Sequence, residues 1–235
     1  MPPTFSCRKK EGATTSHSQV LRQKIRLANG RMLDALSGFW SQPDLAARYP
    51  ELLFQIYCVV RATVPAMEAA RKRAEELSAC DPVAAGVAEY LTRHIPEELH
   101  HDDWLLDDIA ALGASREEVL RRIPSAAAAT AVGTVYYWVL HAHPVAWMGY
   151  AAVSEGHPPS ERFLLEVRER TGIPEEGFRT YLKHARLDPH HAREMDEMLD
   201  ALPLTAEQSA LLGVVAFNTM HQVAALFEGL TGART

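Results

Sequence analysis

The sequence predicts an all-α fold, a bundle of about seven to nine helices. Three observations carry that expectation. Apolar residues recur at helical spacing along most of the 235 residues. No run alternates apolar and polar residues with the β-branched enrichment of a strand. Capping signatures stand where several of the helices would begin.

Residues 1–16 are polar and unpatterned and read as a disordered tail, leaving 17–235 as one helical domain. Val20 to Trp40 carries Val20, Ile25, Leu27, Met32, Leu33 and Leu36 at helical spacing. Pro43 to Ala79 is a long helical region with breaks open to it at Pro50 and Pro65, since a proline removes one backbone donor. Asp81-Pro82 reads as an N-cap followed by proline at the first helical position. The region it opens runs to Leu112 and stops at Gly113. Ser115 to Glu118 forms a capping box for a short helix that ends by Pro124. Ala126 to Glu155 is apolar on nearly every face, which places it at a bundle centre with a kink at Pro144. Ser160 to Thr171 ends at Gly172, and Pro174 to Leu202 is helical in pattern despite Pro189. Thr205 to Gln208 caps a last apolar helix, Ser209 to Leu230.

Composition narrows the function. The 24 basic and 30 acidic residues leave a net charge of −6, against nucleic-acid binding and against a basic membrane-surface helix. No stretch approaches a membrane span, and the N-terminal residues carry no apolar leader core. Three scattered cysteines make neither a disulfide framework nor a zinc ribbon, so the expected compartment is the reducing cytoplasm.

The chemistry gathers in the histidines. His94-x3-Glu98-x2-His101 and His184-x3-Asp188-x2-His191 repeat one pattern. On a helix, offsets of 0, 4 and 7 fall within roughly 60° of arc, so each triplet makes one stripe. Carboxylate and imidazole three residues apart is the ligand geometry of carboxylate-bridged two-metal bundles, which also take a lone glutamate from each of two other helices. Glu155, 33 residues before Asp188, and Glu68, 30 before Glu98, are the lone candidates. Carboxylates with imidazoles and no thiolate suit iron or manganese. Read singly, each feature is ordinary. Glu97, Glu98, Asp102, Asp103, Asp107 and Asp108 make an acidic surface, Glu68 pairs with Arg71 or Lys72, and Asp188-Pro189 caps a second helix. Tyr136, Tyr137 and Trp138 read as core and His221 as a hydrogen-bonded core histidine. The doubled triplet is what raises the set above these readings.

Four segments resemble the heme-oxygenase-like di-iron oxidases and oxygenases, the iron-containing redox enzymes related to the TenA and PqqC proteins. They are Glu97–Asp108, Pro144–Tyr150 leading to Glu155-Gly156, His184-x3-Asp188-x2-His191, and Leu226–Leu230. The resemblance implies a helical bundle with metal between helices, and His101, Glu155, His184, Asp188 and His191 as iron ligands. Members differ at the remaining carboxylate, which corresponds to His94, to Glu98 or to an upstream residue such as Glu68. Pro189 inside the ligand helix implies labile metal occupancy.

The resemblance further implies two Fe(II)/Fe(III) ions, O2 as co-substrate, and oxidation or oxygenation of a small amine- or carboxylate-bearing metabolite in specialised biosynthesis. N-oxygenation and oxidative C–C cleavage are the outcomes it points to. An external electron donor and a homodimer fit the same expectation. Trp104, Tyr137, Trp147 and Tyr150 are candidates to shape a pocket. The alternatives are a metal-free TenA- or PqqC-like enzyme on the same scaffold, and a helical interaction module whose acidic face meets a basic partner.

Overall fold

A computed structural model describes residues 15–156 and 158–232. The expected tail lies outside them except for its last two residues, and Ser16 is already structural. Its hydroxyl accepts from the Gln19 amide in a full capping box that starts the first helix. Among the described residues there are twelve α-helices and no strand. They are α1 (His17–Ala28), α2 (Gly30–Trp40), α3 (Leu45–Val60), α4 (Thr63–Leu77), α5 (Pro82–Glu98), α6 (His101–Ala111), α7 (Arg116–Arg121), α8 (Ala126–His141), α9 (Ala146–Ser154), α10 (Glu161–Thr171), α11 (Arg179–Ala201) and α12 (Ala206–Thr231).

The all-helical architecture is the one expected, with the long periodic regions subdivided. Val20–Trp40 divides at Asn29, and Pro43–Ala79 divides at Arg61-Ala62 rather than at either proline. Pro50 stays inside α3, and Pro65 falls in the first turn of α4, where its missing donor costs nothing. Ala126–Glu155 divides around Pro144. The Asp81-Pro82 start, the boxes at Ser115 and Thr205, and the left-handed glycines at 113 and 172 all stand where the sequence puts them.

α12 is the central element, packed against α1, α2, α3, α8 and α9. It and the stretch Leu45–Leu77 are long and apolar enough to cross a membrane, which the absence of an apolar run in the sequence did not foresee. Both lie within the bundle, with about half of the relevant window buried. α9 is buried from Ala146 to Val153 and meets α12 at Gly149, where an added Cβ would stand 2.7 Å from the Leu212 carbonyl oxygen. α8 buries one face only, and Tyr137 is 60% exposed, so the aromatic run is not core throughout. His221 is likewise exposed and pairs with Arg31.

An aromatic cluster seats the start of α11. Tyr49 stacks on Phe178 at 4.6 Å and its hydroxyl donates to the Gly177 carbonyl, fixing the 3-10 turn Glu175–Phe178 from which α11 grows. The far half of α11 is held by α1, through Arg22 on Asp196 and Ser18 on Asp200. α11 is continuous through Pro189, so Asp188 does not cap a second helix.

Candidate metal centre

The two triplets face each other across the bundle, on different scaffolds. His184, Asp188 and His191 share the inner side of α11, as a single stripe should. The first triplet is broken. His94 and Glu98 close α5, Leu99 is extended, and His101 opens α6. Between them His100 adopts a left-handed conformation at φ 70°, uncommon for a residue with a Cβ. That turn swings His101 back toward Glu98, which an unbroken helix would have achieved by phase alone.

Glu98 is the hinge of the site. Its carboxylate, with His94 and His191, makes one cluster whose candidate ligand atoms lie within 4.8 Å of each other; with His101 and His184 it makes a second of the same size. Glu98 Oε1 stands 3.4 Å from His191 Nδ1 and 3.9 Å from His94 Nε2, while Oε2 stands 2.9 Å from His101 Nδ1. Glu155, the residue that caps α9, brings Oε2 to 3.8 Å from His94 Nε2. Asp188 lies alongside, near enough that its charge acts on Glu155.

These groups fit a cation and little else. His94 Nε2, His191 Nδ1, Glu155 Oε2 and Asp188 Oδ1 are buried with no hydrogen-bond partner, and His101 Nδ1 meets only the Glu98 carboxylate, outside good hydrogen-bond geometry. Five orphaned donor atoms converging in one place would carry a heavy desolvation cost as an empty polar core. The set contains nitrogen and oxygen ligands and no sulfur, the choice of iron or manganese rather than structural zinc.

The electrostatics say the same. Burial, reinforced by Glu98 and Asp188, pushes Glu155 well above the usual carboxylate range. Burial and the Glu98 charge push Asp188 up to about 8. Burial also raises Glu98, but the imidazoles of His101, His94 and His184 outweigh it and hold Glu98 low. Desolvation lowers His184 and His191, keeping both imidazoles neutral and ready to ligate.

Outer partners aim the ligands. His184 Nδ1 donates to the Thr180 carbonyl at 2.9 Å, turning Nε2 inward. The Thr180 amide in turn donates to Asp108 on α6, so α6 and α11 are tied beside the cluster. Asp108 is therefore not part of an acidic surface. It is wholly buried and burial lifts it to about 6, whereas Asp103 and Asp107 face outward and pair with Arg116. Glu97 accepts from His94 Nδ1 at 3.1 Å and orients that ring. Trp104 lies on His101 at 4.1 Å, and Trp147 and Tyr90 flank His94. The i,i+3 spacing of His94 with Glu97 is a sequence signal that would have found this support, while Trp104 and Trp147 stand among the residues expected to shape a pocket.

Glu68 is not brought in. It is about half exposed on α4 and bonded through Oε2 to Arg71, the pairing its neighbours allow. The residue that stands with Glu98 in its place is His94.

An apolar cavity of about 240 Å³ opens on the other side of Glu98, Glu155, His184 and Asp188. Ile56, Val59, Tyr150, Val223 and Phe227 are among its walls, with hydroxyls from Thr63, Ser154, Thr180 and Thr219, and no Lys or Arg lines it among the described residues. Tyr150 faces it as a protonated phenol, its hydroxyl pushed up to about 12 by burial.

A family model described as iron-containing redox enzyme matches residues 51–225. No curated protein matches the chain. Among solved structures, the chain is similar to a domain of unknown function with a heme oxygenase-like fold from Shewanella denitrificans, at TM-score 0.70 and 19% identity over 91% of this chain and 88% of that one. It is similar to a TenA homolog from Pseudomonas syringae pv. tomato, at TM-score 0.69 and 15% identity over 97% and 99%. A CADD-like protein of unknown function from Nostoc punctiforme aligns at TM-score 0.68 and 19% identity over 92% and 97%. Identities this low show a shared fold and nothing of a shared reaction.

Proposed function

The chain belongs to the family of iron-containing redox enzymes, and on that footing we propose that it is a non-heme di-iron, O2-dependent oxidase or oxygenase acting on a small amine- or carboxylate-bearing metabolite. The observation that carries this reading is the single Glu98 carboxylate standing between two histidine clusters, ringed by orphaned ligand atoms. Glu98 would bridge, with His94 and His191 on one side and His101 and His184 on the other. Glu155 and Asp188 would complete the set. Two irons so held would supply the capacity to reduce dioxygen and oxidise a molecule bound beside them.

The chain's own residues do the rest. Glu97 and the Thr180 carbonyl hold the His94 and His184 rings in their ligating tautomers. The cavity walls exclude water and grip an apolar body, leaving the polar head at the end formed by Glu155 and Asp188. An amine head meets carboxylates there. A carboxylate head has no side-chain cation to meet and depends on the metal. A metal-free enzyme on this scaffold would leave the five orphaned atoms without a purpose.

Anaerobic reconstitution with Fe(II) tests the reading. About two irons per chain and an optical change on adding O2 are expected. Fewer than about one iron per chain, with no response to O2, would overturn it.

A further inference from the structure

A second opening reaches the same cluster from the opposite side. α5 and α11 part to leave a groove of about 650 Å³. Its charged lining is Glu89, Glu97, Glu194 and Glu197, against the one cation Arg93. None of its lining residues belongs to the apolar cavity.

The floor of the groove is the outer wall of the metal site. His94 and Tyr90 line it, each more than nine-tenths buried, and His94 Nε2 and the Tyr90 hydroxyl both lack a partner. The charges of Glu194 and Glu97 on the groove side and of Glu155 and Glu98 on the inner side all reach that hydroxyl, which therefore sits at the threshold. Glu97 spans the threshold. It is half exposed, yet Oε2 stands 3.1 Å from His94 Nδ1 and 3.7 Å from His191 Nε2. Acids thus line the way from solvent to two candidate ligand histidines, while the apolar cavity carries its acids only at the inner end, at Glu98, Glu155 and Asp188.

We propose that this groove is the route by which divalent iron reaches the centre, with Glu194 and Glu197 gathering the ion and Glu97 receiving it at the outer edges of the His94 and His191 rings. The proposal rests on the two-metal reading of the site. The acid-lined walls concentrate dications by focusing the field, a rate effect that salt weakens. Glu97 is placed to hold the ion on the groove side because it is half exposed and meets His94 at Nδ1 and His191 at Nε2, the nitrogens opposite the candidate ligating ones.

The test follows iron uptake, not turnover. Metal-stripped full-length protein is mixed anaerobically with Fe(II) alone, and bound iron is counted by rapid chelator quench. The Glu194→Gln, Glu197→Gln double variant is expected to load about tenfold more slowly and to lose most of the salt dependence, while holding the same iron at equilibrium. Arg93→Gln is expected to load faster than the parent. Loading by both variants within twofold of the parent, with its salt dependence intact, would overturn the groove as the route. Failure of the parent itself to hold iron would sink the site reading instead, and the proposal with it.

Discussion

Single residues divide sharply by what they touch. Glu98 serves both clusters, so on the proposed reading Glu98→Gln is expected to abolish iron binding at both, whereas Glu155→Ala and His191→Ala should each abolish the proposed O2 consumption while the bundle stays folded by circular dichroism. Glu68→Gln, on its exposed Arg71 pair, should leave iron content unchanged. Elemental analysis of the four variants checks the contrast. The buried acids also fix a pH dependence. In metal-stripped protein Asp188 holds its proton to about 8, so between pH 7 and 9 the folded state carries protons that the unfolded chain has already lost. Stability therefore falls as pH rises across that window. The histidines do not reverse this, because the lowered His184 and His191 are neutral in both states above about pH 7. Thermal melts of stripped protein should show a lower Tm at pH 9 than at pH 7, and iron should remove most of the difference. The ligand types and their spacing were legible in the sequence because side-chain chemistry is local information. The choice of His94 over Glu68 was not, since it depends on which helix faces inward.

At the scale of elements, the two ligand helices achieve one geometry by different means. α11 keeps an unbroken stripe but carries Pro189, which deprives the Ala185 carbonyl of its helical partner. Pro189→Ala is expected to stabilise the stripped protein by about 1–3 kcal/mol, with a smaller Tm gain on adding iron, since less of the segment would be left for the metal to order. α5 and α6 instead break at Leu99-His100. A periodicity argument joins them because it counts residues and cannot see a left-handed one; histidine gives no warning of such a turn as glycine would. Caps and prolines, by contrast, were read correctly at Ser115, Thr205 and Asp81-Pro82 because each satisfies backbone groups with its own side chain. α9 meets α12 too closely for any Cβ at Gly149. Gly149→Ala should cost about 1–3 kcal/mol, measured by chemical denaturation, since the atom in the way is backbone and cannot step aside.

For the whole molecule, the fold class was legible and the interior traffic was not. Helical periodicity and missing strands are enough to specify a bundle, but a cavity exists only where several helices meet, and no single segment announces it. Ile56, Val59, Tyr150, Val223 and Phe227 come from α3, α9 and α12 to make one apolar chamber. Val59→Phe should narrow it, raising KM for the natural substrate severalfold while leaving iron per chain unchanged; parallel loss of both would mean a general packing defect. The chamber and the acidic groove have no wall in common, with the ligand cluster standing between them as a partition. Neither doorway therefore obstructs the other. On the proposed route, a molecule already carrying its organic guest would still be open to charging with metal, and one that had shed an ion would be replenished without first surrendering what it holds.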